Sequence, residues 1–161
     1  MNILELALTL ELDLERYYKE QAELNKGNGL NSVFSMLARD EGNHADILKM
    51  NSEKIDYELK DNDTLVETRK IFEKINDFKS DIKDVPSQFD SYRMALDKEK
   101  QSMDAYEKLL AEAKDEKVKT MFRYLIKQEK EHYEILDELV ELLNRPDDWV
   151  EAAEFGLRKE Y

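Results

Sequence analysis

The stretch RDEGNHADIL (residues 39–48) places His44 three positions after Glu41. The same spacing recurs 88 positions later in KQEKEHYEIL, where His132 follows Glu129. The chain contains two histidines in all, and both belong to this Glu-x-x-His motif. Side chains three residues apart lie on one face of a helix, so each motif can offer an oxygen and a nitrogen to one metal ion. The two motifs therefore indicate a helical protein that holds metal.

The offset of 88 residues also relates many other positions of the chain. Glu11 aligns with Glu99, and Tyr18 aligns with Tyr106. Six apolar positions repeat as identical pairs: Ala7 and Ala95, Leu8 and Leu96, Phe34 and Phe122, Leu37 and Leu125, Ile47 and Ile135, and Leu48 and Leu136. The repeat predicts that the chain is built from two copies of one helical hairpin.

Composition and periodicity both favour helices. The 161 residues are enough for one domain with its own core, and they include only four glycines and two prolines. Apolar residues recur at steps of three and four, as on a helix with one buried face, in four long segments. These segments span about residues 3–25, 31–59, 87–113 and 117–143. We therefore predict one all-α domain over residues 1–161, with hairpin repeats at about 3–59 and 87–143.

The breaks between the segments predict how the helices are joined. Residues 27–29, Gly-Asn-Gly, are a turn signal that gives a short connection between helices one and two. Residues 60–86 are long enough for a crossover that lets helices two and three run parallel. We expect this crossover to carry a helix over Leu65–Phe78. The tail is expected to form a short helix at 146–155, anchored by Trp149.

Charge and composition exclude several classes of protein. A net charge of −13 argues against binding to nucleic acid, because the phosphates would be repelled. The absence of cysteine excludes disulfides, thiol catalysis and thiolate metal centres in this chain, including iron–sulfur and rubredoxin-type centres. The first residues lack the basic start of a signal peptide, and no apolar run approaches the roughly 20 residues of a membrane span. We expect a cytoplasmic protein that does not bind membranes.

Six polar side chains fall on the inward faces of the predicted helices. A buried carboxylate without a partner costs several kcal/mol, and four that face one another also repel. Two divalent ions would supply +4 against four carboxylates, with both imidazoles neutral. Oxygen and imidazole ligands without sulfur suit iron, manganese or zinc. The predicted ligands of this dinuclear centre are Glu11, Glu41, His44, Glu99, Glu129 and His132.

Two further features accompany the predicted ligands. Tyr18 and Tyr106 lie two turns beyond Glu11 and Glu99, so their hydroxyls are expected to hydrogen-bond the ligands, unless they are simply core aromatics. Gly42 sits inside a helix, where glycine costs about 1 kcal/mol relative to alanine. It either allows a close approach of two helices, opens an access route beside the centre, or is tolerated without a role.

The sequence resembles the rubrerythrin-like branch of the ferritin-like superfamily. The matching segments are ELDLERYY, RDEGNHADIL, DKEKQSMDAY and KQEKEHYEIL, one in each long helix, and the tail NRPDDWVEAAEF is similar to small stand-alone members. The resemblance implies a ferritin-like four-helix bundle with a long crossover between helices two and three and a short C-terminal helix. It also implies that Glu41 and Glu129 bridge two metal ions, with Glu11 and Glu99 as terminal ligands and one histidine on each ion.

The chain departs from the family pattern in three respects. We expect it to lack the rubredoxin domain that delivers electrons in rubrerythrins proper. Ser102 stands where those proteins carry an additional glutamate three residues after the third-helix ligand, which puts efficient peroxidase action in doubt. Gly42 stands where bacterioferritins carry their haem-binding methionine, so no haem is expected.

The leading hypothesis is a di-iron oxidoreductase that reduces hydrogen peroxide or dioxygen, in oxidative-stress or iron redox chemistry. Its electrons would come from an external donor such as a rubredoxin-type protein, and we expect a homodimer, with exchange of hairpins as an open alternative. Two other functions stay open from the sequence. One is ferroxidase activity with iron storage. The other is a non-enzymatic bundle that is stabilised by metal or binds a partner, with zinc as one candidate metal.

Overall fold

The computed structural model describes residues 2–75 and 85–144, and within them the chain forms five helices and no strands. The helices are α1 (Ile3–Leu24), α2 (Leu30–Ser52), α3 (Thr64–Lys74), α4 (Val85–Glu112) and α5 (Glu116–Asn144). The prediction of an all-α bundle is confirmed. The predicted tail helix at 146–155, with Trp149, lies outside the described residues. No helix in the described ranges has both the length and the apolar character needed to cross a lipid bilayer.

The four long helices pack as two hairpins, α1 with α2 and α4 with α5, joined mainly along α1 and α4. The short α3 lies against α2 and α5. The crossover helix was predicted at Leu65–Phe78 and begins one residue earlier, at Thr64, where Asn62 Oδ1 accepts a hydrogen bond from the Thr64 amide at 3.1 Å. It ends at Lys74, earlier than predicted, and residues 76–78 of the predicted span fall outside the described residues.

The core consists of two apolar clusters with a polar layer between them. The Leu37 cluster includes Leu14, Tyr18, Phe34, Leu37, Tyr92, Ile135, Leu136 and Leu139. The Leu125 cluster includes Ala7, Ile47, Leu48, Ala105, Tyr106, Met121, Phe122 and Leu125. Each long helix contributes to both clusters and carries its predicted metal ligands at positions between them. The ligands therefore have packed apolar side chains on either side, which keeps bulk water away from this layer.

The order of the clusters along each helix gives the helix directions. The chain passes from the Leu125 cluster to the Leu37 cluster along α1 and α5, and in the opposite sense along α2 and α4. Consecutive long helices within a hairpin are therefore antiparallel, whereas α2 and α4 run parallel. This is the topology that the long crossover predicted.

Helix α2 ends at Ser52, so the prediction that it continues to residue 59 was wrong. Lys54 adopts a left-handed backbone conformation with φ of 60°. The Ile55 amide donates to the Met50 carbonyl at 2.8 Å, and the Lys54 amide donates to the Asn51 carbonyl at 3.2 Å. These two bonds form a Schellman motif, which satisfies the last carbonyls of the helix. Glycine usually occupies the left-handed position, so a lysine there gives no stop signal in the sequence.

We expect Lys54→Gly to stabilise the protein. A side chain in the left-handed conformation costs about 1–2 kcal/mol, and the greater entropy of glycine in the unfolded chain offsets roughly 0.5–1 kcal/mol of the relief. A net gain of about 0.5–1 kcal/mol should raise Tm by about 1–4 °C in a differential scanning experiment. Lys49→Gly, within the last helical turns of α2, is the matched control and should lower Tm. A decrease in Tm for Lys54→Gly as large as that of the control would contradict the assignment.

Candidate metal centre

The layer between the two apolar clusters contains all six predicted ligands. Glu11 comes from α1, Glu41 and His44 from α2, Glu99 from α4, and Glu129 and His132 from α5. Each of the six residues is at most 1% exposed. Helical spacing explains the arrangement, because positions three apart on α2 and α5 project to the same side and meet the single glutamates of α1 and α4.

The six side chains form two groups of four. Glu11, Glu41, His44 and Glu129 make one group, called the His44 position, in which one ligand atom of each residue lies within 4.8 Å of the others. Glu41, Glu99, Glu129 and His132 make the second group, called the His132 position, by the same measure. Glu41 and Glu129 belong to both groups. This is the arrangement of two neighbouring metal positions with two shared carboxylates.

Both imidazole rings turn Nδ1 toward the carboxylates. His44 Nδ1 lies 2.9 Å from Glu11 Oε2 and 2.8 Å from Glu129 Oε1. His132 Nδ1 lies 2.6 Å from Glu41 Oε1 and 3.4 Å from Glu99 Oε2. The two rings are stacked, with centroids 5.7 Å apart and planes inclined by 25°. Each group of carboxylates therefore has the Nδ1 atom of one histidine available to it, His44 in the first group and His132 in the second.

The hydrogen-bonding inventory of the layer tests whether these residues fit metal ions. Four buried carboxylate oxygens of the layer form no hydrogen bond: Glu11 Oε1, Glu41 Oε2, Glu99 Oε1 and Glu129 Oε2. Buried polar atoms without partners are rare in proteins, and each costs about 1–3 kcal/mol or more when charged. Convergent acceptor atoms of this kind are what divalent cations require. The layer fits a dinuclear metal site.

In the absence of metal, the pKa values of the four glutamates shift in two directions. Burial, followed by repulsion from Glu41, raises the pKa of Glu11 well above its ordinary value. Burial and repulsion from Glu11 do the same for the pKa of Glu129, and burial with repulsion from Glu41 raises that of Glu99. Burial also opposes ionisation of Glu41, but the charge and hydrogen bond of His132 outweigh it and lower the Glu41 pKa.

The histidines hold protons in the same metal-free layer. Burial alone would lower the pKa of His44, but the Glu11 carboxylate raises it well above the ordinary value. The Glu41 carboxylate likewise outweighs burial at His132 and raises its pKa. The metal-free layer therefore retains protons to higher pH than isolated side chains would. Metal binding must displace these protons, which couples affinity to pH.

The outer nitrogen of each histidine bonds to a residue from the opposite hairpin. His132 Nε2 lies 3.0 Å from Asp40 Oδ2, and His44 Nε2 lies 3.1 Å from Gln128 Oε1. Sequence reasoning missed both partners. The repeat contains a signal for them, because polar residues able to accept a hydrogen bond directly precede Glu41 and Glu129. These residues, Asp40 and Gln128, are themselves 88 positions apart.

The two tyrosines behave differently from each other. The Tyr18 hydroxyl donates to Glu99 Oε2 at 2.6 Å, across the two hairpins. The Tyr106 hydroxyl is buried and forms no hydrogen bond. The predicted contact to a ligand is therefore present for Tyr18 and absent for Tyr106.

Gly42 and Ser102 mark the two departures from the family pattern that fall within the described residues. A Cβ at Gly42 would lie 2.7 Å from Glu15 Oε2, so the missing side chain makes room for a carboxylate from α1. Ser102 is fully buried, and its hydroxyl forms no hydrogen bond.

A cavity of about 490 Å³ leads toward the centre beside α2 and α5. Its lining combines exposed residues of α2 and of the segment after it, such as Asn43 and Asp61, with the buried side chains of Asp40, His44 and Gln128. Small molecules in this cavity would reach the histidine side of the layer without crossing either apolar cluster.

Comparison with known proteins gives one family match. The family model described as Rubrerythrin matches residues 2–140. The matched span includes all six residues of the layer and all of α1 to α4. No curated protein and no solved structure matches the chain.

Proposed function

Since this chain belongs to the rubrerythrin family, we propose that it is a di-iron oxidoreductase that reduces hydrogen peroxide or dioxygen. The observation that carries the proposal is the pair of four-residue groups that share Glu41 and Glu129. In this assignment the shared carboxylates would bind both ions. Glu11 and His44 would complete the His44 position, and Glu99 and His132 would complete the other.

The electrons and protons of the proposed reaction balance. Two ferrous ions becoming ferric would supply the two electrons that, with two protons, convert one hydrogen peroxide molecule into two water molecules. An external electron donor, such as a rubredoxin-type protein, would then restore the ferrous state. We place this chemistry in protection against oxidants or in iron redox balance.

The protein's own contribution is to hold and shield the ligands. The Tyr18 hydroxyl fixes one oxygen of Glu99 and leaves the other without a hydrogen bond. The Leu37 and Leu125 clusters exclude bulk water from the layer. This limits hydrolysis of the bound ions and their loss to solvent. The cavity beside His44, with a volume of about 490 Å³, is large enough to hold hydrogen peroxide or dioxygen.

Anaerobic iron loading followed by rapid mixing with peroxide tests the proposal. We expect about two ferrous ions per chain, consumption of one peroxide molecule per two ions, and oxidation much faster than that of free ferrous iron in the same buffer. Glu107→Gln, on the exposed side of α4, is the matched control and should behave like the wild type. Two-ion binding with no acceleration over free iron would refute the enzymatic assignment. Rapid oxidation by dioxygen with growth of a ferric mineral would favour the ferroxidase alternative.

A further inference from the structure

The two hairpins differ chemically in the residues that contact the Nε2 atoms of the two histidines. Asp40 and Gln128 occupy corresponding positions of the two hairpins, and both are at most 2% exposed. Each bonds to Nε2 of the histidine in the other hairpin. One histidine is therefore supported by a carboxylate and the other by a neutral amide.

The Asp40 carboxylate is held by donors on both of its oxygens. Thr64 Oγ1 donates to Asp40 Oδ2 at 2.6 Å, the oxygen that also faces His132 Nε2 at 3.0 Å. Arg39 Nη2 and Nε donate to Asp40 Oδ1 at 3.1 and 3.2 Å. Four hydrogen bonds keep the carboxylate in place, so the His132 ring is fixed with its N–H toward Asp40 and Nδ1 toward the metal ligands.

The Gln128 amide is held by the segment that precedes α3. Asn62 Nδ2 donates to Gln128 Oε1 at 2.6 Å, and the same oxygen lies 3.1 Å from His44 Nε2. Because this oxygen is an acceptor, His44 carries its proton on Nε2 and presents Nδ1 to the ligands. The geometry thus matches that of His132, but the acceptor has no formal charge.

We propose that Asp40 and Gln128 are positioning residues that make the two metal positions unequal, so that the His132 position binds its ion first and more tightly. The inference rests on the dinuclear centre of the proposed function but does not depend on its reaction. A carboxylate that accepts the imidazole N–H increases the electron donation of the ring to a metal ion and adds a negative charge close to it. An amide acceptor orients the ring without that charge.

Three other contacts bear on the difference, and none cancels it. The Thr64 hydroxyl donates to Asp40 Oδ2, but it is neutral and leaves the carboxylate its formal charge. The Tyr18 hydroxyl withdraws charge from Glu99, but it occupies one oxygen only and leaves Glu99 Oε1 without a hydrogen bond. The Arg39 guanidinium opposes the charge of Asp40, but its side chain is 49% exposed and therefore screened by water. The buried carboxylate next to the ring is the larger effect.

Titration of the metal-free protein with Co²⁺, followed by calorimetry and by the visible spectrum of the bound ion, tests the inference. The wild type should bind two ions in two resolved steps. Outer-shell partners of metal-bound histidines contribute roughly 10–100-fold in affinity, so Asp40→Asn should weaken the first step by about that factor and leave the second within a few-fold. Asp46→Asn, which removes the same charge from the exposed side of α2, should change neither step appreciably.

Gln128→Glu gives a test that does not depend on losing a contact. The new carboxylate has nearly the same shape and can still accept from Asn62, so the second step should tighten and approach the first. A purely structural role for Gln128 would predict unchanged or weaker binding. Equal weakening of both steps by Asp40→Asn, or no tightening with Gln128→Glu, would overturn the inference while leaving the centre intact. If the wild type bound no Co²⁺, the centre itself would be refuted.

Discussion

Glu129→Gln should reduce the number of tightly bound divalent ions from two per chain to none, whereas Glu99→Gln should remove only one. Glu129 belongs to both groups of ligands, so its loss removes a carboxylate from each position at once. Glu99 belongs to the His132 position alone. The loss in affinity for Glu129→Gln should exceed the roughly 10–100-fold effect of removing an outer-shell partner.

Equilibrium dialysis with metal analysis would measure these stoichiometries, and Glu107→Gln would again serve as the control for loss of one acidic charge.

The stability of the metal-free variant provides a second readout. Burial and repulsion from Glu11 raise the pKa of Glu129, which means that its ionised form destabilises the fold. Metal-free Glu129→Gln should therefore unfold at a higher temperature than metal-free wild type at neutral pH. Retention of two tight ions by a folded Glu129→Gln protein would contradict the shared role of this carboxylate.

The metal-free protein should lose stability as the pH rises above about 6.5. The folded-state pKa values of His44 and His132 lie above their ordinary value of 6.5, so their stabilising contribution is complete below that pH and is lost above it. Raised pKa values at Glu11, Glu99 and Glu129 act in the same direction from pH 4.5 upward.

Two groups in the layer have the opposite dependence. The pKa values of Glu41 and Asp40 are lowered, so their contributions are present above the ordinary values of 4.5 and 3.8 and are lost as the pH falls below them. They limit stability at acid pH and do not change the trend above pH 6.5. The stability of the metal-free protein should therefore be greatest in mildly acidic solution.

The expected slope can be estimated from proton linkage. Each proton that the folded state keeps and the unfolded state releases changes the free energy of unfolding by about 1.4 kcal/mol per pH unit. Two histidines alone give up to roughly 3 kcal/mol per pH unit, which corresponds to a fall in Tm of roughly 6–12 °C in a chain of this size.

Thermal unfolding from pH 6 to 9, with and without bound metal, measures this dependence. The two-ion form should show little change over the same range, because ions have replaced the protons. A Tm of the metal-free protein that is flat or rises between pH 6.5 and 8.5 would contradict the electrostatic description of the layer.

The sequence alone was enough to predict those parts of the structure that follow from the position of a residue along a helix. The 88-residue repeat and the apolar steps of three and four identified the four long helices and the faces that they bury. They also identified the six side chains that the structure brings into one layer. These inferences succeeded because helical geometry alone fixes which residues share a face.

Features that depend on contacts between helices were not accessible in the same way. The bonds from Asp40 to His132 and from Gln128 to His44 join opposite hairpins, and no local spacing specifies such partners. The end of α2 was missed because Lys54 adopts a conformation that usually requires glycine. The difference between Tyr18 and Tyr106 also depends on packing, since the two positions are equivalent in the repeat.

X-ray diffraction from crystals loaded anaerobically with ferrous iron, collected on both sides of the iron absorption edge, would test the central claim most directly. We predict two anomalous peaks per chain, one within Glu11, Glu41, His44 and Glu129, and one within Glu41, Glu99, Glu129 and His132. Iron found only at the protein surface, with the buried layer free of anomalous signal, would contradict it.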